Sequence, residues 1–555
     1  MKKILLTITM LALIGMTNLV TAQTPIWAWA KSAGGVSNEY SNAVCTDASG
    51  NVYITGTFQS STITFGSSTL HNEATGTLDI FVVKYDPSGN VLWAKSAGGT
   101  SMDYAYGICA DIGGNVYITG YFNSPSITFG TITLTNSGTY SDILVVKYNN
   151  SGNVVWAKSA AGNDADCSYG ICTDANSNVY ITGMFQSSPF TFGSYSLTNS
   201  SMSGYYDIFI AKYDSNGNVL WAKGMGGIRS ECGQGVCTDL NGNVYITGYF
   251  QQSATFGGIT ITGTGNSTLF VAKYNTDGTI LWAKSVRALS MNSYVNAGGI
   301  TSDVSDNVYI TGYFDFSLIL GSDTLSTSGN QSIFLAKYDA SGNAIWGRSP
   351  GGTGSRDNGS GICINSNGKV FLTGYFVSFY LNFGGFQVLN DNVGYTDIFV
   401  AEYDANGNAI GATGIGGQDY DYGMGICKGL GGDVYVTGYF GSYNLSFGNT
   451  MLTNNGSYDT FLAKLSTLEG IEDFPKKDNS SLILYPNPTA TTFTLQLPSD
   501  FSPATLQIFN ALGALVYEQS ITQASTLINL NKTAGIYFVK VDDGDRVVMG
   551  KLIVE

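Results

Sequence analysis

Six acidic side chains occupy one position of a repeated sequence, which makes them the first candidates for chemistry. A ring of carboxylates could bind Ca²⁺ through oxygen ligands, and paired carboxylates could cleave a glycosidic bond. Alternatively, each acid accepts hydrogen bonds from a turn of its own repeat, because a residue that is present in nearly every copy usually stabilises the structure of that copy. The six candidate metal ligands are Glu39, Asp103, Asp166, Glu231, Asp357 and Asp421. The fifth copy carries Val295 at this position.

Cysteine occupies a second repeated position, as a small residue that fits where inner strands crowd together. The six members are Cys45, Cys109, Cys172, Cys237, Cys363 and Cys427, with Thr301 in the fifth copy. Two further cysteines each lie five residues ahead of a repeated one. In an exported protein these spacings suggest the disulfides Cys167–Cys172 and Cys232–Cys237, although spacing alone does not settle their geometry. Neither pair has further ligands at zinc-finger spacing.

The single histidine, His71, lies in the long loop of the first copy. A Ser-His-Asp or Cys-His catalytic site would have to use this one histidine, and a His-rich zinc site would lack further histidine ligands. The sequence therefore predicts no catalytic residue and no bound cofactor apart from the Ca²⁺ alternative.

The positions of these residues are set by an internal sequence repeat of nearly constant length, and such a repeat determines the fold. The motif NVYITG or a close variant occurs seven times, and its closing glycines are 62 to 65 residues apart. Those glycines are Gly56, Gly120, Gly183, Gly248, Gly312, Gly374 and Gly438.

Each copy is predicted to form four strands. The first resembles GICTD (170–174), the second is NVYITGYF, the third is DIFVVKYD (79–86) and the fourth is NVLWAKS. Turns such as DPSGN join the third and fourth strands, since glycine supplies the positive φ that such turns need. A loop of about 20 residues separates the second strand from the third, a length that fits a functional surface loop.

Apolar residues on both faces of the second and third strands indicate sheets that are covered on both sides. After the seventh third strand, no WAKS strand follows, whereas TPIWAWAKS stands at the start of the predicted mature chain. The sequence therefore predicts an all-β fold, in which residues 23–465 form a seven-bladed β-propeller whose N-terminal strand closes the last blade. A β-solenoid is the alternative, but it needs no completing strand.

The repeat unit GICTD…GNVYITG…DIFVVKYDxxGNVLWAKSAGG resembles the SBBP repeat of exported bacterial β-propellers. This resemblance covers about residues 24–465 and implies a fold and an exported setting, without catalytic residues to transfer. The sixth copy departs from the pattern, with Glu402 in place of the third-strand lysine and Gly411 in place of the fourth-strand tryptophan.

The N-terminus is predicted to be a signal peptide, residues 1–22, with two lysines, an apolar stretch and a small-residue cleavage site. No later apolar segment approaches the roughly 20 residues of a membrane helix. The net charge of −15 argues against nucleic acid as a partner.

The composition changes after the repeats. Residues 466–481 are polar and predicted to be a linker, and residues 482–555 are predicted to form a small β-sandwich. This tail resembles the type A C-terminal sorting domain of the type IX secretion system, and its matching residues include Tyr485, Pro486, Asn487, Pro488, Gly513, Gly535, Tyr537 and Lys551. The resemblance implies the type IX machinery as a partner, passage across the outer membrane, and release or surface attachment. The alternative is an ordinary binding sandwich.

We therefore predict an exported, cell-surface or secreted binding or adhesion module for a glycan or a protein. The long loops and the acids are expected on one face, where propellers usually bind ligands. A passive surface scaffold is the first alternative. A carboxylate-based polysaccharide-active enzyme is the second, and it would need acids found in only one or two copies.

Overall fold

The computed structural model describes residues 26–202, 204–327, 331–352, 356–466, 482–497, 503–510, 515–543 and 547–554. These residues are almost entirely strands and turns, with one short 3₁₀ turn at Leu430–Gly432. The all-β class predicted from the sequence is confirmed. No helix in these ranges is long and apolar enough to cross a membrane. The predicted signal peptide lies outside the described residues, as does the predicted linker apart from Ser466.

The repeats fold into seven four-stranded antiparallel sheets, numbered 1 to 7 here in chain order of their first strands. The first strands are Glu39–Thr46, Asp103–Ala110, Asp166–Thr173, Cys232–Thr238, Val295–Ser302, Asn358–Ile364 and Asp421–Lys428. The second strands are Val52–Phe58, Val116–Phe122, Val179–Phe185, Val244–Phe250, Val308–Phe314, Val370–Phe376 and Val434–Phe440. The third strands are Asp79–Tyr85, Asp142–Tyr148, Asp207–Tyr213, Thr268–Tyr274, Ser332–Tyr338, Asp397–Tyr403 and Asp459–Ser466.

Sheets 1 to 6 take their fourth strand from the same repeat, whereas sheet 7 does not. The six fourth strands are Val91–Ala97, Val154–Ala160, Val219–Met225, Ile280–Ser285, Ala344–Arg348 and Ala409–Ile415. In sheet 7 this place is taken by Ile26–Ala33, which pairs with the third strand from Ile26 opposite Ser466 to Ala33 opposite Thr460. The edge of sheet 7 is thus completed by the strand at the start of the described chain.

Each loop between a second and a third strand contains a small hairpin. The hairpins are Thr62–Phe65 with Ser68–His71, Ser126–Phe129 with Ile132–Thr135, Phe190–Phe192 with Tyr195–Leu197, Ser253–Phe256 with Ile259–Thr262, Ser317–Leu320 with Asp323–Ser326, Tyr380–Phe383 with Phe386–Leu389, and Asn444–Phe447 with Thr450–Thr453. Short strands at Arg287–Ala288 and Gly351–Gly352 add to the fifth and sixth hairpins.

The hydrophobic core is divided among the interfaces between successive sheets. One cluster joins Val82 of sheet 1 to Ile118 of sheet 2, and equivalent clusters join each later pair of sheets. The last cluster joins Leu462 of sheet 7 to Ile54 of sheet 1, so the sheets follow one another in a closed ring. Every third strand is covered on both faces, which explains why its residues are apolar in succession instead of alternating.

Tryptophans link every sheet except sheet 6 to the next. The fourth-strand indole N–H donates to a carbonyl in the following sheet's third-to-fourth-strand turn, as from Trp93 to Asn150 at 3.0 Å and from Trp221 to Thr276 at 3.1 Å. The indole ring also lies against that turn's glycine, Gly152 in the case of Trp93. Sheet 7 has no such turn, because its fourth strand comes from the other end of the repeat region. The absence of tryptophan at Gly411 in sheet 6 follows from this difference.

The second departure in sheet 6 is a reversal of charge. In sheet 4, for example, the third-strand Lys273 lies 3.2 Å from Asp239 beside the turn between the first and second strands. In sheet 6, Asn365 takes the place of that aspartate, and Lys369 lies 2.9 Å from Glu402. Lys369 stands where sheet 4 has Asn243, so an ion pair with the buried third-strand side chain is preserved with its charges exchanged.

The chain divides into two compact units after Leu468. The second unit contains a sheet of Ile483–Tyr485, Thr492–Gln496 and Ser525–Asn529, and a sheet of Leu515–Ile521, Ala504–Asn510, Gly535–Asp542 and Val547–Val554. Phe493 and Ile528 of the first sheet share one core with Leu506 and Val539 of the second.

Candidate functional site

The six repeated acids lie in separate inter-sheet regions and do not converge. Glu39, Asp103, Asp166, Glu231, Asp357 and Asp421 are all buried. Most accept hydrogen bonds from a serine that follows the second strand of the same sheet, as Asp103 does from the Ser124 backbone N–H and hydroxyl. The turn-capping interpretation therefore describes their geometry. The described residues contain no group of three or more His, Cys, Asp or Glu able to hold a metal, so this part of the chain does not form the Ca²⁺ ring considered as an alternative.

The repeated cysteines line one mouth of the central channel, at the end of the first strands. This cavity measures about 390 Å³, and its wall includes all six thiols with Thr301. Hydroxyls beside the thiols join neighbouring sheets, as Thr238 Oγ1 donates to the Thr173 carbonyl at 3.1 Å. Burial raises the pKa of thiols such as Cys237 to about 12, which leaves them protonated and poor nucleophiles.

The two predicted disulfides are wrong. All eight cysteines are free. Cys167 and Cys172 lie on one strand, as do Cys232 and Cys237. Five residues of strand span about 16 Å, whereas bridged Cα atoms lie roughly 4.4–6.8 Å apart.

The opposite end of the first strands carries a feature that the sequence analysis did not assign. Seven tyrosines from sheets 6, 7 and 1 form a connected group, called the tyrosine cluster from here on. Its members are Tyr40, Tyr375, Tyr395, Tyr420, Tyr422, Tyr439 and Tyr458.

Ring contacts run through the tyrosine cluster without a break. The Tyr422 ring centroid lies 4.8 Å from that of Tyr439 and 4.8 Å from that of Tyr375. Tyr40 of sheet 1 lies 4.8 Å from Tyr439, which carries the contact across the closing interface of the ring. Tyr420 lies 4.9 Å from Tyr395 at the other side. Edge and tilted contacts of this kind fix aromatic rings in place.

The tyrosine cluster combines rigid apolar faces with hydroxyl groups. Tyr420 is 37% exposed and the other six are half-buried, so the cluster is accessible without being loose. Burial, with further contributions from neighbouring tyrosines and Asp419, raises the pKa of Tyr458 to about 12. The Tyr458 hydroxyl is therefore a hydrogen-bond donor at neutral pH. Such surfaces contribute large contact area at low conformational cost when they bind a ligand.

A sequence signal for this cluster existed. A tyrosine directly follows the closing glycine in five copies, Tyr375 and Tyr439 among them, and a tyrosine directly follows the repeated acid in three copies, as Tyr40 and Tyr422 do. Sheets 3 to 6 carry Cys167, Cys232, Asn296 and Asn358 after the acid position instead. A smaller group, comprising Tyr104, Tyr106, Tyr121 and Tyr169, occupies sheets 2 and 3.

The residues of the predicted sorting motif lie in the second unit. Tyr485 ends a strand, and Asn487 Oδ1 accepts a hydrogen bond from the Ile553 backbone N–H at 2.8 Å, which holds the Tyr485–Pro488 segment against the final strand. Gly535 begins the strand that contains Tyr537, whose hydroxyl donates to the Thr533 carbonyl. Lys551 lies in the final strand opposite Phe538. Gly513 lies outside the described residues.

Comparison with known proteins gives partial matches. An uncharacterized WD repeat-containing protein, L264 of Acanthamoeba polyphaga mimivirus, is 25% identical over 79% of this chain and 38% of its own length. Ulvan lyase NLR42 of Nonlabens ulvanivorans is 35% identical over 19% of this chain and 20% of its own length. The chain thus spans well under half of these relatives.

A solved structure also aligns with much of the chain. PorZ, a surface component of the type IX secretion system of Porphyromonas gingivalis, aligns with 93% of this chain and 81% of its own length, at 11% identity and a TM-score of 0.25. For the tail the match is to a family: residues 483–555 match the secretion system C-terminal sorting domain.

Proposed function

We propose that this chain is an exported surface module that binds a glycan or a protein through the tyrosine cluster. In this proposal the seven sheets are the blades of an SBBP-type β-propeller spanning residues 23–465. Residues 1–22 are its signal peptide and residues 466–481 a linker. Residues 482–555 are a β-sandwich that the type IX secretion machinery recognises. The match of residues 483–555 to a sorting domain supports export to the cell surface or the medium.

The observation that carries the binding proposal is the uneven distribution of the tyrosines around the ring. The buried acids, the cysteines and the interlocking tryptophans recur in nearly every sheet and have structural roles there. Tyrosine recurs at two positions of the repeat, but the tyrosine cluster also includes Tyr395, Tyr420 and Tyr458, and its seven rings meet across three consecutive sheets. A surface that breaks the symmetry of a repeated scaffold is where a specific ligand can be distinguished.

We further propose that the module is not an enzyme. The repeated carboxylates are at most 1% exposed, so none of them can reach a glycosidic bond in the folded ring. The partial similarity to an ulvan lyase covers 19% of this chain and gives no reason to assign that activity here. A passive scaffold without a ligand remains the competing function that binding experiments address directly.

Replacing Tyr420 or Tyr458 with alanine should weaken ligand binding by roughly tenfold or more, since aromatic residues in such surfaces carry much of the binding energy. The measurement is binding of the purified chain to an array of immobilised glycans, followed by a pull-down of surface proteins. Tyr140→Ala is the matched control, because Tyr140 is 55% exposed and lies outside the cluster.

Three outcomes would contradict the proposal in distinct ways. No binding to either probe set would favour the passive scaffold. Equal loss in the Tyr140→Ala control would place the binding surface elsewhere. Shortening of a polysaccharide by the wild-type chain would show that the protein is an enzyme.

A further inference from the structure

A second set of buried acids faces the first set across the interfaces between sheets. Five third strands begin with aspartate: Asp79, Asp142, Asp207, Asp397 and Asp459. In each case, the residue before this aspartate accepts a backbone hydrogen bond from the repeated acid of the next sheet, as Leu78 does from Asp103 and Tyr206 does from Glu231. Two carboxyl groups thus meet at each of five interfaces.

Several of these carboxyl groups have a buried oxygen without a hydrogen-bond donor. Among the described residues these include Asp79 Oδ1, Asp207 Oδ1, Asp459 Oδ1 and Glu231 Oε1. Their side chains are 2% exposed or less. The other oxygen of each aspartate is satisfied, as Asp207 Oδ2 accepts from the Ser200 backbone N–H and hydroxyl at 2.7 Å each. The free oxygens therefore need a partner that the surrounding backbone does not provide.

We propose that each pair with such an unpartnered oxygen shares one proton in the folded ring, so that losing the protons at alkaline pH weakens the interfaces between sheets. Two ionised carboxylates cannot remain side by side in a buried site, because both accept hydrogen bonds and neither donates. A proton on one carboxyl donates a hydrogen bond to the other and removes one charge. Glu231 and Asp207 show the arrangement most directly, since each of the two side chains has one buried oxygen that no donor reaches.

The surroundings of Glu231 and Asp207 contain no cation that would replace the proton. Arg229 donates to the Tyr205 hydroxyl at 2.8 Å, and no ion pair among the described residues includes either acid. Gly227 donates to Glu231 Oε2, and the other titratable neighbours are uncharged at neutral pH: Tyr206, Tyr249 and Cys232. Burial, reinforced by Asp207, raises the pKa of Glu231 to about 9. Burial likewise raises the pKa of Asp79 to about 7.

The interface between sheets 4 and 5 provides an internal comparison. Both acids are replaced there, by Thr268 at the start of the third strand and by Val295 in the next sheet. Ser267 instead exchanges hydrogen bonds with the Val295 backbone, accepting from its N–H at 3.0 Å and donating to its carbonyl at 3.2 Å. At the interface between sheets 5 and 6 only one acid is replaced: Ser332 begins the third strand, and the buried Asp357 accepts its hydrogen bonds from Val377 and Ser378. An acid without a facing carboxyl group is thus supplied with donors by its own sheet.

The sign of the pH dependence follows from the raised pKa values. The folded-state pKa of Glu231 lies above its ordinary value of 4.5, so its contribution to stability is complete below about pH 4.5 and is lost as pH rises towards 9. For each proton held only by the folded state, the unfolding constant increases by up to about tenfold per pH unit.

The test compares urea unfolding of the full chain at pH 5 and pH 9. Tryptophan fluorescence reports the ring alone, because all seven tryptophans lie between residues 27 and 346. Glu231→Gln replaces one acid with a neutral donor, and the double variant Glu231→Val with Asp207→Thr copies the natural interface between sheets 4 and 5. Asp277→Asn, at an exposed aspartate in a turn of sheet 4, is the control.

We expect the unfolding constant of the wild type and of the control to rise between the two pH values by at least about tenfold more than that of either variant. The double variant keeps the test valid if Glu231→Gln fails to fold. An equal pH dependence in all four proteins would overturn the proposal. So would Ca²⁺ that restores the stability of the wild type at pH 9 but not that of the variants, because the pairs would then be cation sites.

Discussion

Deletion of residues 24–33 should lower the melting temperature of the ring by about 5 °C or more. The deletion removes the fourth strand of sheet 7 and leaves the third strand Asp459–Ser466 as an open edge. It also removes the contact of the Trp27 ring with Phe447, at 5.0 Å between centroids, and the burial of Ala30 and Ala33. Lost apolar burial and lost backbone hydrogen bonds together amount to roughly 5 kcal/mol or more. Differential scanning calorimetry measures the result.

Two controls separate ring closure from a general effect of truncation. Lys31→Ala changes an exposed side chain of the same strand and should leave the melting temperature within about a degree or two of the wild type. A synthetic peptide of residues 24–33 should restore part of the loss when added to the truncated chain. An unchanged melting temperature after the deletion would show that closure of sheet 7 does not stabilise the ring.

Alanine at a closing glycine of the second strand should destabilise the ring by about 3 kcal/mol or more. A Cβ atom at Gly438 would lie 1.9 Å from the carbonyl oxygen of Tyr422, which is backbone and cannot rotate away. The close approach arises where the first strand has a bulge, between Gly423 and Gly425. The same distance of 1.9 Å recurs at Gly56 and Gly120, which explains why this residue closes every NVYITG motif.

Gly258→Ala and Gly385→Ala are the matched controls, because a Cβ atom at either position meets nothing within 4 Å. Urea unfolding should show a large loss for Gly438→Ala and a change within about 0.5 kcal/mol for the controls. Equal effects at all three positions would mean that the contact with the Tyr422 carbonyl does not determine the cost.

The strands of the fold were predictable because each of the seven repeats carries the same pattern of apolar residues and turns. The prediction that the N-terminal strand completes the last sheet required only a count of strands, and the pairing of Ile26–Ala33 with Asp459–Ser466 agrees with it. Glu402 and Gly411 were visible as departures from the pattern. Their causes were not visible, because one is an ion pair with Lys369 and the other is the absent turn of the next sheet.

The candidate site was less predictable, for a physical reason. Periodicity draws attention to residues that recur, such as Asp103 and Cys109, and these serve the interfaces between sheets. The tyrosine cluster depends on contacts between three consecutive sheets, including Tyr40 with Tyr439, which are about 400 residues apart in sequence. Such contacts follow from the curvature of the ring, which the sequence of one repeat does not describe. The pairing of Asp207 with Glu231 was missed for the same reason.

The displaced fourth strand of sheet 7 bears on how this gene can change by duplication. Each repeat contributes four strands, and the two ends of the repeat region, Ile26–Ala33 and Asp459–Ser466, contribute neighbouring strands to one sheet. Gain or loss of a whole unit of about 64 residues would therefore leave the terminal pairing intact, and neither end would require new caps. Selection would instead act on the curvature between neighbouring sheets. A glycine equivalent to Gly411 would still identify the sheet that precedes the closing sheet. The place where the ring closes could therefore be recognised from the sequence of a descendant with any number of repeats.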